Sequence, residues 1–323
     1  MDLPLELLVH IFKNLSHKDL KTVSLVSKFW RMAAEDRSLW KNCNVSIHLK
    51  KDFKLLKILE NPRFAALENL SLQGCLHKQS EIKDNHLKLI SGLELKKLSL
   101  SKISLQAASP DLFAQVITRI ETVQLTHLAN SSKNHVKEFF NFLNSGSCIK
   151  NLKLDNWHWF DASEIEPDKV GTALNTLEEL ELFSTNLESQ HLRCLFRNIN
   201  DQTNLKMINF WNLNLSKIDP DILSGAVHRI PITKLCNAQL SANQIERILL
   251  RLQDISHLRV LDIRNNENSR FVRPELKMEA VMVLETFDCD TWPAFETENW
   301  AMVLRHARYR RGDFDFDFDF DLV

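Results

Sequence analysis

One apolar pattern recurs along the chain beyond residue 65, and it constrains the fold more than any other feature. Each copy reads L-x-x-L-x-L, with an apolar residue, Cys or Asn three places further on, as in LENLSLQGC (67–75) and LRVLDIRNN (258–266). The copies begin at Leu67, Leu95, Ile120, Ile149, Leu177, Leu205, Ile232, Leu258 and Leu284. Adjacent starts lie 25 to 29 residues apart, so the chain is a series of stacked units rather than one irregular core.

Each unit is predicted to contain one strand and one helix. Positions four and six, such as Leu70 and Leu72, alternate with polar residues, which places them on one face of a strand. Segments such as 189–199 and 243–252 have helical apolar spacing. The pattern and its period resemble the leucine-rich repeat. The resemblance implies an α/β horseshoe of about nine repeats, with a parallel sheet on its concave face.

One unit departs from this pattern. Read from Ile232, the segment ITKLCNAQL places Asn237 at a core position of the strand. We therefore expect either a distorted unit or an Asn237 side chain that forms hydrogen bonds within the stack.

The first forty residues are unusually apolar. LPLELLVHIFKNL (3–15) has eight apolar residues among thirteen, and residues 16–40 continue as two further predicted helices, capped by Ser16 and Ser24. A module of this size cannot bury all of its large side chains alone. Two explanations stay open from the residues themselves, since the helices either only cap the solenoid or also dock on another protein.

The same segment resembles an F-box. L-P-x-E-L-L, I-F-x-x-L, D-L-x-x-x-x-x-V-S-K-x-W-R and L-W-K follow in order from Leu3 to about Lys41. An F-box followed by leucine-rich repeats resembles the substrate receptors of SCF-type cullin–RING ubiquitin ligases. The resemblance implies an F-box (1–45) of three helices, a connecting segment (46–66), the repeats (67–300), and a C-terminal helix with a Phe/Asp tail (301–323).

The resemblance also implies the partners. A Skp-type adaptor, which hangs from a cullin scaffold, is expected to bind Leu3, Pro4, Leu7, Leu8, Ile11, Leu15, Leu20, Val26 and Trp30. Leu39 and Trp40 are expected to pack toward the repeats. The repeats would hold a protein substrate, partner proteins would transfer ubiquitin, and the chain itself would be neither an enzyme nor dependent on a cofactor. The alternative is a repeat-based binding or inhibitor scaffold with no ligase role.

Positions three, five and seven of the repeats are expected to face the concave side. The candidate substrate-binding residues there combine acidic, amide and large apolar side chains: Asp155, Glu179, Glu181, Phe183, Met207, Asn209 and Trp211. Aromatic groups beside acids predict a target with a basic segment and an apolar anchor, unless Phe183 and Trp211 fold against loops. A second, more polar candidate patch consists of Asp262, Arg264, Asp288 and Asp290.

Composition argues against several other functions. The formal net charge is −1, and residues 1–50 carry eight Lys or Arg against five Asp or Glu, so no basic surface for nucleic acid is predicted. No apolar run has the length of a membrane span. The six glycines are dispersed, which excludes a phosphate-binding glycine loop. Scattered cysteines without a C-x-x-C pair favour a reduced cytoplasmic or nuclear protein and no metal site.

The chain ends in a low-complexity segment, RHARYRRGDFDFDFDFDLV (305–323). Strict alternation would place its phenylalanines on one side of a strand and its aspartates on the other. The segment could cover the open end of the sheet, remain disordered, pair with its neighbouring arginines, or act as an autoinhibitory or partner peptide.

Overall fold

The computed structural model describes residues 3–41, 44–48, 60–61, 64–74, 80–156, 165–253 and 256–290. The tail, the expected helix from 301 onward, and Cys75 of the first repeat lie outside these ranges.

Four short helices open the chain where three were expected. They are α1 (Leu5–Phe12), α2 (His17–Val23), α3 (Lys28–Ala34) and α4 (Arg37–Trp40). Ser16 caps α2 as predicted, because its Oγ accepts a hydrogen bond from the Asp19 backbone N–H at 3.2 Å. The cap of α3 is Ser27, whose Oγ accepts from the Trp30 N–H. The expectation for Ser24 is wrong, since Ser24 ends α2 and its hydroxyl donates to the Lys21 carbonyl.

Within these ranges, ten strands form one parallel sheet in sequence order. They are β1 (Asn44–His48), β2 (Asn69–Gln73), β3 (Lys97–Ser101), β4 (Thr122–Thr126), β5 (Asn151–Asp155), β6 (Glu179–Phe183), β7 (Met207–Trp211), β8 (Ile232–Cys236), β9 (Val260–Asp262) and β10 (Thr286–Asp288). Equivalent residues of adjacent repeats pair directly, as Leu70 does with Leu98. The sheet begins one strand earlier than the apolar pattern indicates, because β1 pairs with β2. β1 lies across the expected boundary between the F-box and the connecting segment.

Helices on one side of the sheet connect successive strands. This is expected because connections between parallel strands are right-handed crossovers. They are α5 (Asp84–Ser91), α6 (Pro110–Ile117), α7 (Lys133–Asn144), α8 (Pro167–Thr172), α9 (Ser189–Asn198), α10 (Pro220–Val227), α11 (Ala242–Leu250) and α12 (Pro274–Val283). Three 3₁₀ segments follow or precede them (Ala173–Thr176, Arg251–Gln253 and Glu267–Phe271). Four helices start at a proline because its fixed φ suits the first helical position and its missing N–H has no partner there anyway.

The core is continuous from the first helix to the last strand. Residues at positions four and six of each repeat are buried against the helices, while positions three and five stay at least partly exposed on most strands. We call the side of the sheet formed by positions three, five and seven the open face; it is the side predicted to be concave. At the N-terminal end, Trp40 packs edge-on against Phe64, with ring centroids 5.4 Å apart. Leu39 and Trp40 are both buried in this shared core, as expected.

The eighth strand has a different register from the one read off the sequence. Ile232 pairs with Met207, and Thr233 pairs with Ile208, so the repeat begins at Ile230 rather than at Ile232. Thr233 therefore occupies buried position four. Asn237 is wrongly predicted as a core residue, because it lies one residue beyond the strand at position eight with φ +50°. The expected hydrogen bond within the stack is confirmed, since the Asn237 amide donates to the side-chain oxygen of Asn212 at 3.1 Å.

Position eight has the left-handed conformation in seven consecutive repeats. The residues are Lys102, His127, Asn156, Ser184, Asn212, Asn237 and Asn265, with φ between +48° and +60°. Asparagine tolerates this conformation better than other non-glycine residues do, and it occupies four of the seven positions. The turn ends each strand and directs the chain toward the next helix.

Candidate functional site

The N-terminal helices carry most of the exposed apolar surface. Among the described residues, eleven large hydrophobic side chains are exposed, and seven of them lie between residues 3 and 32. These seven form what we call the N-terminal apolar surface: Leu3, Leu7, Ile11, Leu25, Val26, Phe29 and Met32. Leu7 and Ile11 are one turn apart on α1, and Phe29 and Met32 are one turn apart on α3, so each pair shares a helix face.

The nine predicted adaptor contacts differ in exposure: some are exposed, some half-buried and some buried. Leu3, Leu7, Ile11 and Val26 belong to the N-terminal apolar surface, Pro4 is exposed, and Leu15 and Trp30 are half-buried. Leu8 and Leu20 are only 3% and 2% exposed. Their placement at a contact surface is wrong, because both side chains point into the core beneath it.

Three further exposed residues were not predicted. Leu25, in the turn before α3, is 75% exposed, and Phe29 and Met32 on α3 are exposed as well. The i, i+3 spacing of Phe29 and Met32 is the sequence signal that could have identified them. The edge-on packing of Phe12 against Trp30, with centroids 5.5 Å apart, fixes α1 against α3 and so holds the two exposed helix faces together.

The candidate substrate residues come together in three rows across β5, β6 and β7. Asp155, Phe183 and Trp211 pair in one row, Lys153, Glu181 and Asn209 in the next, and Asn151, Glu179 and Met207 in the third. Trp211 is 41% exposed, so it does not fold away against a loop. A cavity of about 250 Å³ opens next to these rows between β3 and β6.

Charge on this part of the open face is more balanced than the sequence indicates. The Lys153 ammonium lies 3.4 Å from a Glu181 carboxylate oxygen and 4.4 Å from the centre of the Phe183 ring. The Asn209 amide also donates to Glu181. Lys153 thus offsets the charge of Glu181, which weakens the reason to expect a basic target segment.

The register of β8 adds an apolar row that the sequence reading missed. Met207, Ile232 and Val260 pair side by side at position three, and all three side chains are half-exposed. This row continues the apolar character of the candidate substrate residues toward the C-terminal repeats.

The second candidate patch is largely occupied by its own contacts. Asp262 is buried and receives two hydrogen bonds from the Arg264 guanidinium, at 2.9 and 2.6 Å. Desolvation raises the pKa of Asp262, but its bonds from Arg264 outweigh this and hold the pKa below its usual value. Asp290 accepts a bond from the backbone N–H of Asn266. These carboxylates stabilise the last repeats rather than presenting free charge.

No group of three or more His, Cys, Asp or Glu in the described ranges is arranged to hold a metal ion. Burial raises the pKa of Cys236 to about 12, so its thiol stays protonated and is a poor nucleophile. No helix in this part of the chain is long and apolar enough to span a bilayer.

Comparison with known proteins agrees with this architecture. The F-box-like family matches residues 1–46. The chain is an F-box-like domain joined to a leucine-rich-repeat solenoid. No curated protein matches it significantly in sequence.

Two solved structures align with most of this chain. A chain of the Rad7 and Elc1 complex from yeast aligns with a TM-score of 0.51 and 13% identity, over 94% of this chain and 85% of that one. The leucine-rich repeat-containing protein LegL7 from Legionella pneumophila aligns with a TM-score of 0.47 and 14% identity, over 85% of this chain and 99% of that one.

Proposed function

We propose that the protein is the substrate-recognition subunit of an SCF-type ubiquitin ligase. Its F-box-like domain binds a Skp-type adaptor that hangs from a cullin, and its solenoid holds a protein substrate. Partner enzymes transfer the ubiquitin. The receptor contributes by keeping the substrate close to them, which turns a bimolecular encounter into an effectively intramolecular one.

The observation that carries the proposal is the N-terminal apolar surface. The inner sides of α1 to α4 are already packed onto the solenoid core, so capping alone explains Leu8, Leu20 and Trp40. Capping gives no reason for Leu7, Ile11 and their neighbours to remain in water. A group of large apolar side chains exposed on one small helical module is typical of a protein-binding surface. It coincides with the segment that the F-box-like family matches.

Adaptor binding tests the proposal directly. Wild-type chain and a Leu7→Glu/Ile11→Glu variant are titrated with a purified Skp-type adaptor. We expect the variant to bind about a hundredfold more weakly or worse, because two apolar contacts are lost and two charges would be buried. Both residues are exposed, so the variant should keep its fold, which circular dichroism checks.

The matched control is Leu250→Glu, which changes another exposed leucine on the last turn of α11. It should bind the adaptor as the wild type does. Failure of the wild-type chain to bind, or equal binding by the double variant, would leave the helices as a simple cap and favour the alternative of a binding scaffold without a ligase role.

We further propose that the substrate contacts the open face between β5 and β9. Trp211 and the row Met207, Ile232 and Val260 supply the apolar contacts. In a reconstituted ligase, Met207→Ala/Trp211→Ala should reduce ubiquitination of proteins that the wild type modifies. Phe271→Ala, which removes an exposed aromatic residue elsewhere, should not. An equal loss of ubiquitination in both variants would argue against this surface as the substrate-binding site.

A further inference from the structure

A basic pocket lies outside the open face, where the loop after β7 enters α10. It has a volume of about 460 Å³ and lies between α9 and the start of α10. Arg193, Arg197 and Lys217 bring three positive charges to it, and Pro220 and Ile222 add apolar surface. Asp219 is the one acidic residue among its lining groups.

The acidic group at this pocket is already engaged. One Asp219 carboxylate oxygen accepts hydrogen bonds from the backbone N–H groups of Asp221 and Ile222, at 2.9 and 3.1 Å, and so caps α10. Within the described ranges, Arg193, Arg197 and Lys217 form no ion pair. Arg247 and Arg251 on the neighbouring helix differ, because both lie close to Asp221. The pocket therefore has unbalanced positive charge beside an apolar wall.

The C-terminal segment 312–323 has the complementary chemistry. It contains five aspartates and four phenylalanines in strict alternation and no basic residue. The whole chain has a formal net charge of −1, so the chain without these five aspartates has a formal net charge of +4. An extended strand of this sequence presents carboxylates on one side and aromatic rings on the other. That division suits a pocket lined both by cations and by the apolar side chains of Pro220 and Ile222.

The segment is also long enough to reach the pocket. Asp290, the last described residue, is followed by 21 residues before Gly312 is reached, and an extended chain of that length spans at most ~70 Å. The pocket lies three helices from α12, and packed helices are 8–10 Å apart, so roughly 30 Å must be covered.

We propose that residues 312–323 dock in this pocket, with aspartates on Arg193, Arg197 and Lys217 and phenylalanines against Pro220 and Ile222. The loop that lines the pocket at Ser216 leaves β7 directly after Trp211. A docked segment therefore lies next to the rim of the open face. The proposal does not depend on adaptor binding.

Hydrogen exchange of the full-length chain, followed by mass spectrometry of peptides covering 312–323, tests the proposal. The synthetic peptide GDFDFDFDFDLV, free in solution, supplies the unprotected rates. In the wild type we expect exchange to be about tenfold slower, because a tethered segment has an effective concentration in the millimolar range. Arg193→Glu/Arg197→Glu should return the rates to those of the free peptide.

Two further variants make the result specific. Adding Asp315→Lys/Asp317→Lys to the Arg193→Glu/Arg197→Glu chain reverses the charge on both the segment and the pocket. This combined variant should again show slow exchange in residues 312–323. Lys133→Glu/Lys137→Glu makes the same change of charge at the same spacing on α7 and should leave protection intact. Wild-type exchange as fast as in the free peptide would overturn the proposal. So would protection that survives Arg193→Glu/Arg197→Glu, since the segment would then pair elsewhere, for example with Arg305 to Arg311.

Discussion

At the scale of single residues, one side chain per helix ties several repeats together. His135, His191 and Gln244 each occupy the third position of a helix and bond through Nε2 to a backbone carbonyl 26 to 29 residues earlier. His135 and Gln244 also accept a hydrogen bond from the backbone N–H of their own capping serine. A neutral imidazole with its proton on Nε2 therefore forms the same two kinds of hydrogen bond as a glutamine amide, accepting one and donating the other.

Stability should fall in mild acid because of His135. Burial lowers the pKa of this imidazole below its usual 6.5, even though its bond to the Ala108 carbonyl favours the charged form. The unfolded chain then binds more protons than the folded chain below pH 6.5, so His135 destabilises the fold as the pH falls from that value through the lower folded pKa. His135→Gln should keep stability at pH 7.5 and flatten its decline between pH 7 and 5.

Urea unfolding across this pH range measures the effect. His127, which is half-exposed at position eight, supplies the control. His127→Asn should leave the pH profile as it is in the wild type. An unchanged profile in His135→Gln would show that the proton taken up in acid binds elsewhere.

At the scale of elements, the sequence predicts spacing well and register less well. Eight of the nine repeat starts follow from the leucine periodicity, but Ile230 and Ile232 offer two starts for the repeat that contains β8. A start at Ile232 puts a leucine at position four, whereas the fold puts Thr233 there. β1 was missed because NVSIH lacks the leading leucine of the pattern. Leu7 and Leu8 are equally apolar neighbours, so only the packing of α1 tells which of them is exposed.

Thr233 provides a test of the observed register. Its side chain is fully buried at position four, and its hydroxyl has no hydrogen-bond partner among the described residues. Thr233→Val keeps the branched shape and removes the unpaired hydroxyl, so the free energy of unfolding should rise by about 1 kcal/mol. Equilibrium urea denaturation measures this change.

The alternative register makes a different prediction for the same variant. With the repeat starting at Ile232, Thr233 would be at position two, which is at least partly exposed in the other repeats, and valine would have little effect. Thr286→Val changes an exposed threonine of β10 and should shift the free energy of unfolding by less than about 0.5 kcal/mol. A Thr233→Val result as small as this control would contradict the observed register.

At the scale of the whole molecule, the F-box-like domain is fused to the solenoid rather than tethered to it. The Trp40 ring packs on Phe64, its indole N–H donates to the Ala34 carbonyl at 2.8 Å, and the Lys41 ammonium lies 3.5 Å from Glu68 of the first predicted repeat. Under the proposed function, this junction would fix where a substrate on the open face stands relative to an adaptor on the N-terminal apolar surface. Such a fixed geometry suits a protein that positions one partner against another.

Removing the Trp40 side chain should therefore loosen the junction and spare the distant repeats. Trp40→Ala leaves a cavity and an unpaired carbonyl, at a cost of roughly 3–5 kcal/mol. Because the units of a solenoid are stabilised mainly by their neighbours, hydrogen exchange should accelerate in α1, α3 and β2 and stay unchanged in β8 and β9. Leu261→Ala, at a fully buried site in β9, should give the reverse distribution. Equal acceleration along the whole chain in both variants would mean that the molecule opens as a single cooperative unit, and the junction would then have no local role in positioning the partners.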